Sequence, residues 1–239
     1  MESAKPLAKQ VALVTGGTQG IGLAIAHRLG RMGARIAICA RSAPKLKETQ
    51  RALRAETIEA LALPADVTRT DQVAGLIEQV RTQLGPIDIL VNNAGIGAFG
   101  PFHELSEADW DRVLNTNLRA VFLISKAVAA GMIERRSGYI INISSLAGKN
   151  TFAGAAAYCA SKWGLQGLSG CMAEDLRGYG IRVSVICPGT VHTEFSPHAD
   201  KDPGKMLQPD DIAHIVAMLV TQAPQSFASE IHLRPTHKP

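Results

Sequence analysis

Aromatic residues are scarce in this chain: two Trp, three Tyr and six Phe make up 5% of its 239 residues. No basic block interleaved with aromatics stands out, and a net charge of +4 is modest, so a nucleic-acid partner is not expected. Long apolar runs are missing as well. No stretch approaches the roughly eighteen residues that would cross a bilayer, so no membrane span is expected. Residues 1–10 are polar and mixed, unlike a secretion signal, and the expectation is a cytoplasmic protein. Cysteine is sparse. Cys39, Cys159, Cys171 and Cys187 are scattered at spacings that match no zinc or redox motif, which predicts free buried thiols and no metal. Linkers, repeats and low-complexity segments are lacking too.

What is present is a globular composition, 46% hydrophobic and 19% charged, in a length that suits one α/β domain over residues 1–239. Apolar runs and helical spacing alternate along it. Strands are predicted at 11–14, 35–39, 58–63, 87–91, 139–143, 181–186 and 230–233. Helices are predicted at 21–29, 44–55, 72–84, 107–134, 155–177 and 209–220. Ser42 is placed to cap the helix at 44–55, with Pro44 in its first turn. Strands that read as continuous Val, Ile and Leu are buried on both faces, as in a parallel sheet covered by helices. The fold class is therefore α/β: a Rossmann-type doubly wound parallel sheet of about seven strands with helices on both faces. Residues 1–9 are expected to be flexible.

The first strand runs straight into Gly16, Gly17, Thr18, Gln19, Gly20, Ile21 and Gly22, and a helix follows. Glycines allow a tight turn whose N–H groups can approach a pyrophosphate, and the helix N-terminus adds positive potential. Further on, Tyr158 and Lys162 are four residues apart on a predicted helix, hence on one face. A phenol is a poor acid–base group at neutral pH, its free pKa being about 10, and a nearby ammonium is expected to lower it.

The spacing Gly16, Gly20, Gly22, together with Asn92-Asn-Ala-Gly95 and the Tyr158/Lys162 pair, resembles the short-chain dehydrogenase/reductase family over nearly the whole chain. Within it, the 3-oxoacyl carrier-protein reductases are nearest in pattern. The resemblance implies an enzyme that interconverts a small or carrier-bound carbonyl and a secondary alcohol by hydride transfer. Its acidic, NAD-selecting position falls on Ala40, and Arg41 follows, so NADP is the expected cofactor and NAD ranks second. The family's basic position in the glycine loop is Gln19 here. Asp66 and Val67 match its adenine contact, and a turn-capping role for Asp66 is equally open. Asn93, Ala94 and Gly95 correspond to residues beside the cofactor ribose.

By the same resemblance Ser145 holds the substrate oxygen, with Ser144 its neighbouring competitor. Asn117 anchors a proton-relay water, with Asn115 as the alternative. Pro188, Gly189, Val191 and Thr193 lie along the nicotinamide, and Ser184 replaces a usual Asn as a structural departure. His192 is read as a surface histidine. Residues 96–103 and the loop at 194–208 are expected to set substrate choice. Between Thr193 and Leu207 that loop is polar, with Phe195 and Met206 its only large apolar groups, which favours a compact or tethered substrate. A homodimer through the helices of Asn117 and Tyr158, or a homotetramer, is expected. A non-catalytic NADP(H)-sensing protein is the competing reading. A third, a nucleotide-bound isomerase, calls for an additional substrate domain.

Overall fold

The computed structural model describes residues 5–195 and 202–237. Seven parallel strands form one sheet: β1 Val11–Thr15, β2 Arg35–Ala40, β3 Ala60–Pro64, β4 Ile89–Asn92, β5 Gly138–Ile143, β6 Ile181–Pro188 and β7 Glu230–Leu233. They lie in the order β3-β2-β1-β4-β5-β6-β7. Between them run α1 Gly20–Arg31, α2 Ala43–Ala55, α3 Thr70–Gln83, α4 Glu107–Leu114, α5 Ala120–Arg135, α6 Ala156–Arg177 and α7 Pro209–Val220. The strand order reverses direction between β1 and β4, and that crevice is where such sheets gather ligands.

Strand β1 explains the layering. Ala12 and Val14 point into a core shared with Ile25 and Leu29 of α1 and Val216 of α7. Val11 and Leu13 point the other way, toward Val73 and Leu76 of α3 and Ile124 of α5. These four apolar side chains of β1 are fully buried, the period-two alternation placing apolar groups on both faces. On α1, Ile25, Ala26 and Leu29 make one stripe, and each large apolar side chain so buried contributes about 1.5–3 kcal/mol.

Several expectations are corrected. Residues 5–9 are not loose: Leu7 is buried and its N–H donates to Met32 O at 3.0 Å. Ser42 does occupy the N-cap of α2, with Pro44 in the first turn, but its hydroxyl makes no capping bond. The single helix at 107–134 is two α-helices joined by a π-turn, Asn115–Arg119. Together they form a 29-residue run that contains an 18-residue window of mean hydropathy 1.3, long and apolar enough by composition to span a membrane. Counting uninterrupted apolar residues misses it, because polar residues are spaced along it. In the fold it packs against α3, α6, β4 and β5. Cys39, Cys159 and Cys187 are buried free thiols as expected, whereas Cys171 on α6 is exposed.

Candidate active site

A cavity of about 1400 Å³ follows the carboxyl edge of the sheet. Its wall takes residues from the ends of β2, β1, β4, β5 and β6, so its floor repeats the strand order. From the glycine turn it takes Gly16, Thr18, Gln19, Gly20 and Ile21. Gly16 and Gly20 have φ of +63° and +52°, which a side chain would strain. Gly22 lies behind the turn: a Cβ there would stand 2.4 Å from Gly16 O and from Asn93 Nδ2. Gln19 is the N-cap of α1 yet gives no side-chain cap, and the first turn holds no acid. Those N–H groups therefore suit an anion, as a dinucleotide pyrophosphate would supply.

At the far end of the cavity stand Ala40, Arg41, Ser42, Asp66 and Val67. Lys45 joins them, and its Nζ donates to Gln19 Oε1 at 2.8 Å. The sequence reading missed this second cation. Gln19 is not basic itself but holds a lysine of α2 in the corresponding place. Asp66 Oδ1 accepts from Thr68 N and Oγ1 at 2.9 and 2.7 Å, a turn-capping role. Burial pushes its carboxyl up, but the Thr68 bonds and the charges of Arg41 and Arg69 outweigh that and hold it below the usual range.

The end of β4 supplies Asn93, Ala94 and Gly95. Asn92 and Asn93 serve the sheet. Asn92 Nδ2 donates to Asn142 Oδ1 on β5 at 2.8 Å, and Asn93 Nδ2 to Thr15 O and Gly16 O at 3.0 and 3.1 Å. Gly95 brings the cavity close to its support: a Cβ there would lie 3.4 Å from Asn117 Oδ1 and 3.8 Å from Lys162 Nζ. Asn117 is buried on the π-turn behind this wall. It accepts from Ile96 N at 2.8 Å and donates to Ile96 O at 2.8 Å and Ser161 Oγ at 3.0 Å. Its amide is thus a clamp on the chain beyond Gly95, while Asn115 and Thr116 reach the cavity itself.

Ser145 follows the end of β5 and Tyr158 lies in the first turn of α6, and both line the cavity, with Ser145 Oγ accepting from Ala147 N at 3.1 Å. Ser144, the competitor, is turned aside to accept from Gln166 Nε2 at 2.9 Å. Burial raises the Tyr158 phenol, and the downward pull comes from Ser145. This corrects the expectation that Lys162 lowers it. Lys162 Nζ sits 5.8 Å from the Tyr158 ring centroid and donates to Ile143 O at 2.9 Å. With only a carbonyl to hold it, the buried ammonium is pushed down to about 8.

Pro188, Gly189, Val191 and Thr193 line the same cavity beyond β6. His192 is exposed and outside it. Ser184 is structural: its Oγ bonds Tyr139 OH at 2.7 Å and Ala228 O at 2.5 Å. Within the loop at 194–208, residues 196–201 fall outside the described residues. The tail adds Arg234, Pro235, Thr236 and His237 to the wall, which sequence patterns did not foretell. The β6–β7 register also pairs Cys187 with His232, and with Glu230 these put their ligand-type atoms within 4.8 Å of one another. Lys149 is already paired with that carboxylate at 2.8 Å.

The sequence model for short chain dehydrogenases matches residues 10–204, and the chain belongs to that family. A metagenomic short-chain oxidoreductase crystallised with NADP is 46% identical, with 98% of this chain and 100% of that one covered and a TM-score of 0.86. A single-substitution variant of the actinorhodin polyketide ketoreductase, crystallised with NADPH, is 35% identical with a TM-score of 0.89, over 97% of this chain and 98% of its own. The acetoacetyl-CoA reductase of Allochromatium vinosum is 38% identical over 222 residues, 88% of this chain and 90% of that protein.

Proposed function

We propose that this chain is an NADP(H)-dependent oxidoreductase that interconverts a ketone or β-ketoacyl carbonyl and a secondary alcohol. The observation that carries the reading is the Ser145–Tyr158 hydroxyl pair in one cavity with an uncapped glycine turn and two cations. The residues fit the cofactor. The glycine turn would take the pyrophosphate, and Arg41 with Lys45 would take the 2′-phosphate, which an acid at Ala40 would repel. Asp66 and Val67 would meet the adenine, Asn93 to Gly95 the ribose, and Pro188 to Thr193 the nicotinamide. NAD, lacking that phosphate, is the weaker ligand. The NADP and NADPH in the two similar crystal structures support this assignment.

Bound there, reduced nicotinamide supplies the hydride. Ser145 and Tyr158 hold the carbonyl oxygen with two hydroxyl donors, stabilising the charge that develops on it. Tyr158, kept protonated by burial, delivers its proton to that oxygen. Lys162 lies behind the phenol and restores the proton, and Asn117 positions the Gly95–Ile96 backbone that walls this route. In the reverse direction the same groups act in the opposite order.

A single soluble, cytoplasmic domain acting on a small or carrier-bound carbonyl completes the proposal, with neither nucleic acid nor membrane as partner. A homodimer is supported by a groove of Leu114, Leu118, Phe122 and Leu168 on α4, the π-turn, α5 and α6; Trp110 of α4 and Trp163 of α6 are also exposed. A homotetramer would need a second such face. No observation favours the cofactor-sensing alternative. The test is NADPH oxidation against a panel of ketones, β-ketoacyl thioesters and quinones. Turnover should fall by about 10²–10⁴-fold in Tyr158→Phe with NADPH affinity nearly intact, and unchanged turnover would reject the mechanism.

A further inference from the structure

In a chain with six phenylalanines, three of them stand half-exposed in the wall of this cavity: Phe99, Phe152 and Phe195 at 48%, 54% and 41%. Two flank the catalytic phenol. The Phe99 and Phe195 ring centroids each lie 5.6 Å from that of Tyr158, tilted at 57° and 49°. The arrangement is built rather than incidental. The Phe99 ring covers Gly97, where a Cβ would stand 2.4 Å from its Cε2. One residue further on, Gly100 N–H donates to Gly154 O at 2.9 Å, tying the Phe99 loop to the loop that carries Phe152. Of the ionisable side chains near this wall, Arg112, Glu194, Arg234 and His237 are exposed, and Lys162 is buried behind Tyr158. Apolar rings left open to water beside a reactive group mark a site that gains by being covered, and tilted rings accept another ring edge-to-face or offset.

We propose that the substrate is a ketone bearing an aromatic or conjugated planar group next to its carbonyl, packed against the open faces of these three rings. This rests on the reductase reading above and names its substrate class. The carbonyl carbon gains the hydride of NADPH, the carbon–oxygen π pair takes the Tyr158 proton, and the products are an aryl carbinol and NADP⁺. This narrows the expectation of a compact or tethered substrate, drawn from the polar loop at 194–208. Phe99 and Phe152 arrive from two other loops, so no single loop reveals the wall.

The test compares acetophenone with cyclohexyl methyl ketone, equal in carbon number but not planar, and with a straight-chain β-ketoacyl thioester. The wild-type enzyme should favour acetophenone in kcat/KM by about tenfold or more. Phe99→Ala and Phe195→Ala should each lower kcat/KM for acetophenone about 10- to 100-fold, chiefly through KM, and change that for cyclohexyl methyl ketone by less than about threefold. Phe99→Leu, which keeps apolar bulk, tests whether the ring itself is needed. A ratio near one, preference for the thioester, or equal losses on both ketones would overturn the proposal. Calorimetric binding of acetophenone to the NADPH-loaded enzyme separates the two readings. Binding that needs Phe99 and Phe195 without turnover would reject the reductase reading and keep the aromatic subsite. Absence of both binding and turnover would overturn the subsite.

Discussion

The two ends of the cavity are made of different material. Toward β1 and β2 the wall is backbone and short turns at strand ends, packed so tightly that a Cβ on Gly22 would collide at 2.4 Å with what stands behind it. Toward α6 and the tail it is large side chains on separate loops, three of them half-exposed phenylalanines. The first end is suited to a ligand that never changes, because its geometry comes from the sheet itself. The second can be altered without disturbing the fold, since loops carry little of the core. Between them, Ser145 and Tyr158 sit where the end of β5 and the start of α6 meet at the cavity wall.

That contrast can be broken most severely at its centre. Replacing Lys162 with Met should cost about 100-fold or more in turnover, because the buried ammonium then no longer backs the phenol. In the wild type its pKa of about 8 sets the sign of the pH effect. Below that value the side chain is protonated and can resupply Tyr158. Above it the charge is lost and reduction slows. A kcat profile that stays flat through pH 8, or keeps the same falling limb in Lys162→Met, would assign that limb to another group.

A smaller effect is expected at the cofactor end. A charge-assisted hydrogen bond is worth about 1.5–3 kcal/mol, so Arg41→Ala and Lys45→Ala should each weaken NADPH about 10- to 100-fold and leave NADH unaffected. Ala40→Asp combined with Arg41→Ala should reverse the preference. Fluorescence titration with both coenzymes decides this. If only Arg41 matters, Lys45 merely braces Gln19.

The smallest effect separates two serines at equivalent positions, Ser106 outside the cavity and Ser42 in its wall. Ser106 caps α4, its Oγ accepting from Asp109 N at 3.1 Å, while the Ser42 hydroxyl at the start of α2 makes no capping bond. Ser106→Ala should cost about 1 kcal/mol in urea unfolding, and Ser42→Ala only a few tenths. Ser42 lines the cavity, so equal stability costs would argue that it is a cap and not a free hydroxyl facing the ligand.

Legibility in the sequence followed the range of each interaction. Tyr158 and Lys162 could be paired because a four-residue interval on a helix is a local matter. The glycine turn and Arg41 were readable for the same reason, being next to strands whose apolar runs are unmistakable. Lys45 was not, since its bond to Gln19 spans 26 residues and joins two different strand–helix turns. Nor was the π-turn, because Asn117 earns its place through Ile96 and Ser161, 21 and 44 residues away. Cys187, Glu230 and His232 meet only through strand register.

The amino-acid order by itself determined the alternation of strands and helices, the parallel sheet with two covered faces, and the positions of the turn and the tyrosine–lysine pair. Burial patterns and helical periodicity act over a few residues, so they are written along the chain. Only the tertiary structure decided which way the phenol's acidity shifts, where the second cation stands, and that three phenylalanines from three loops share one wall. Those depend on desolvation and on distances between segments remote in sequence, and no local pattern encodes either.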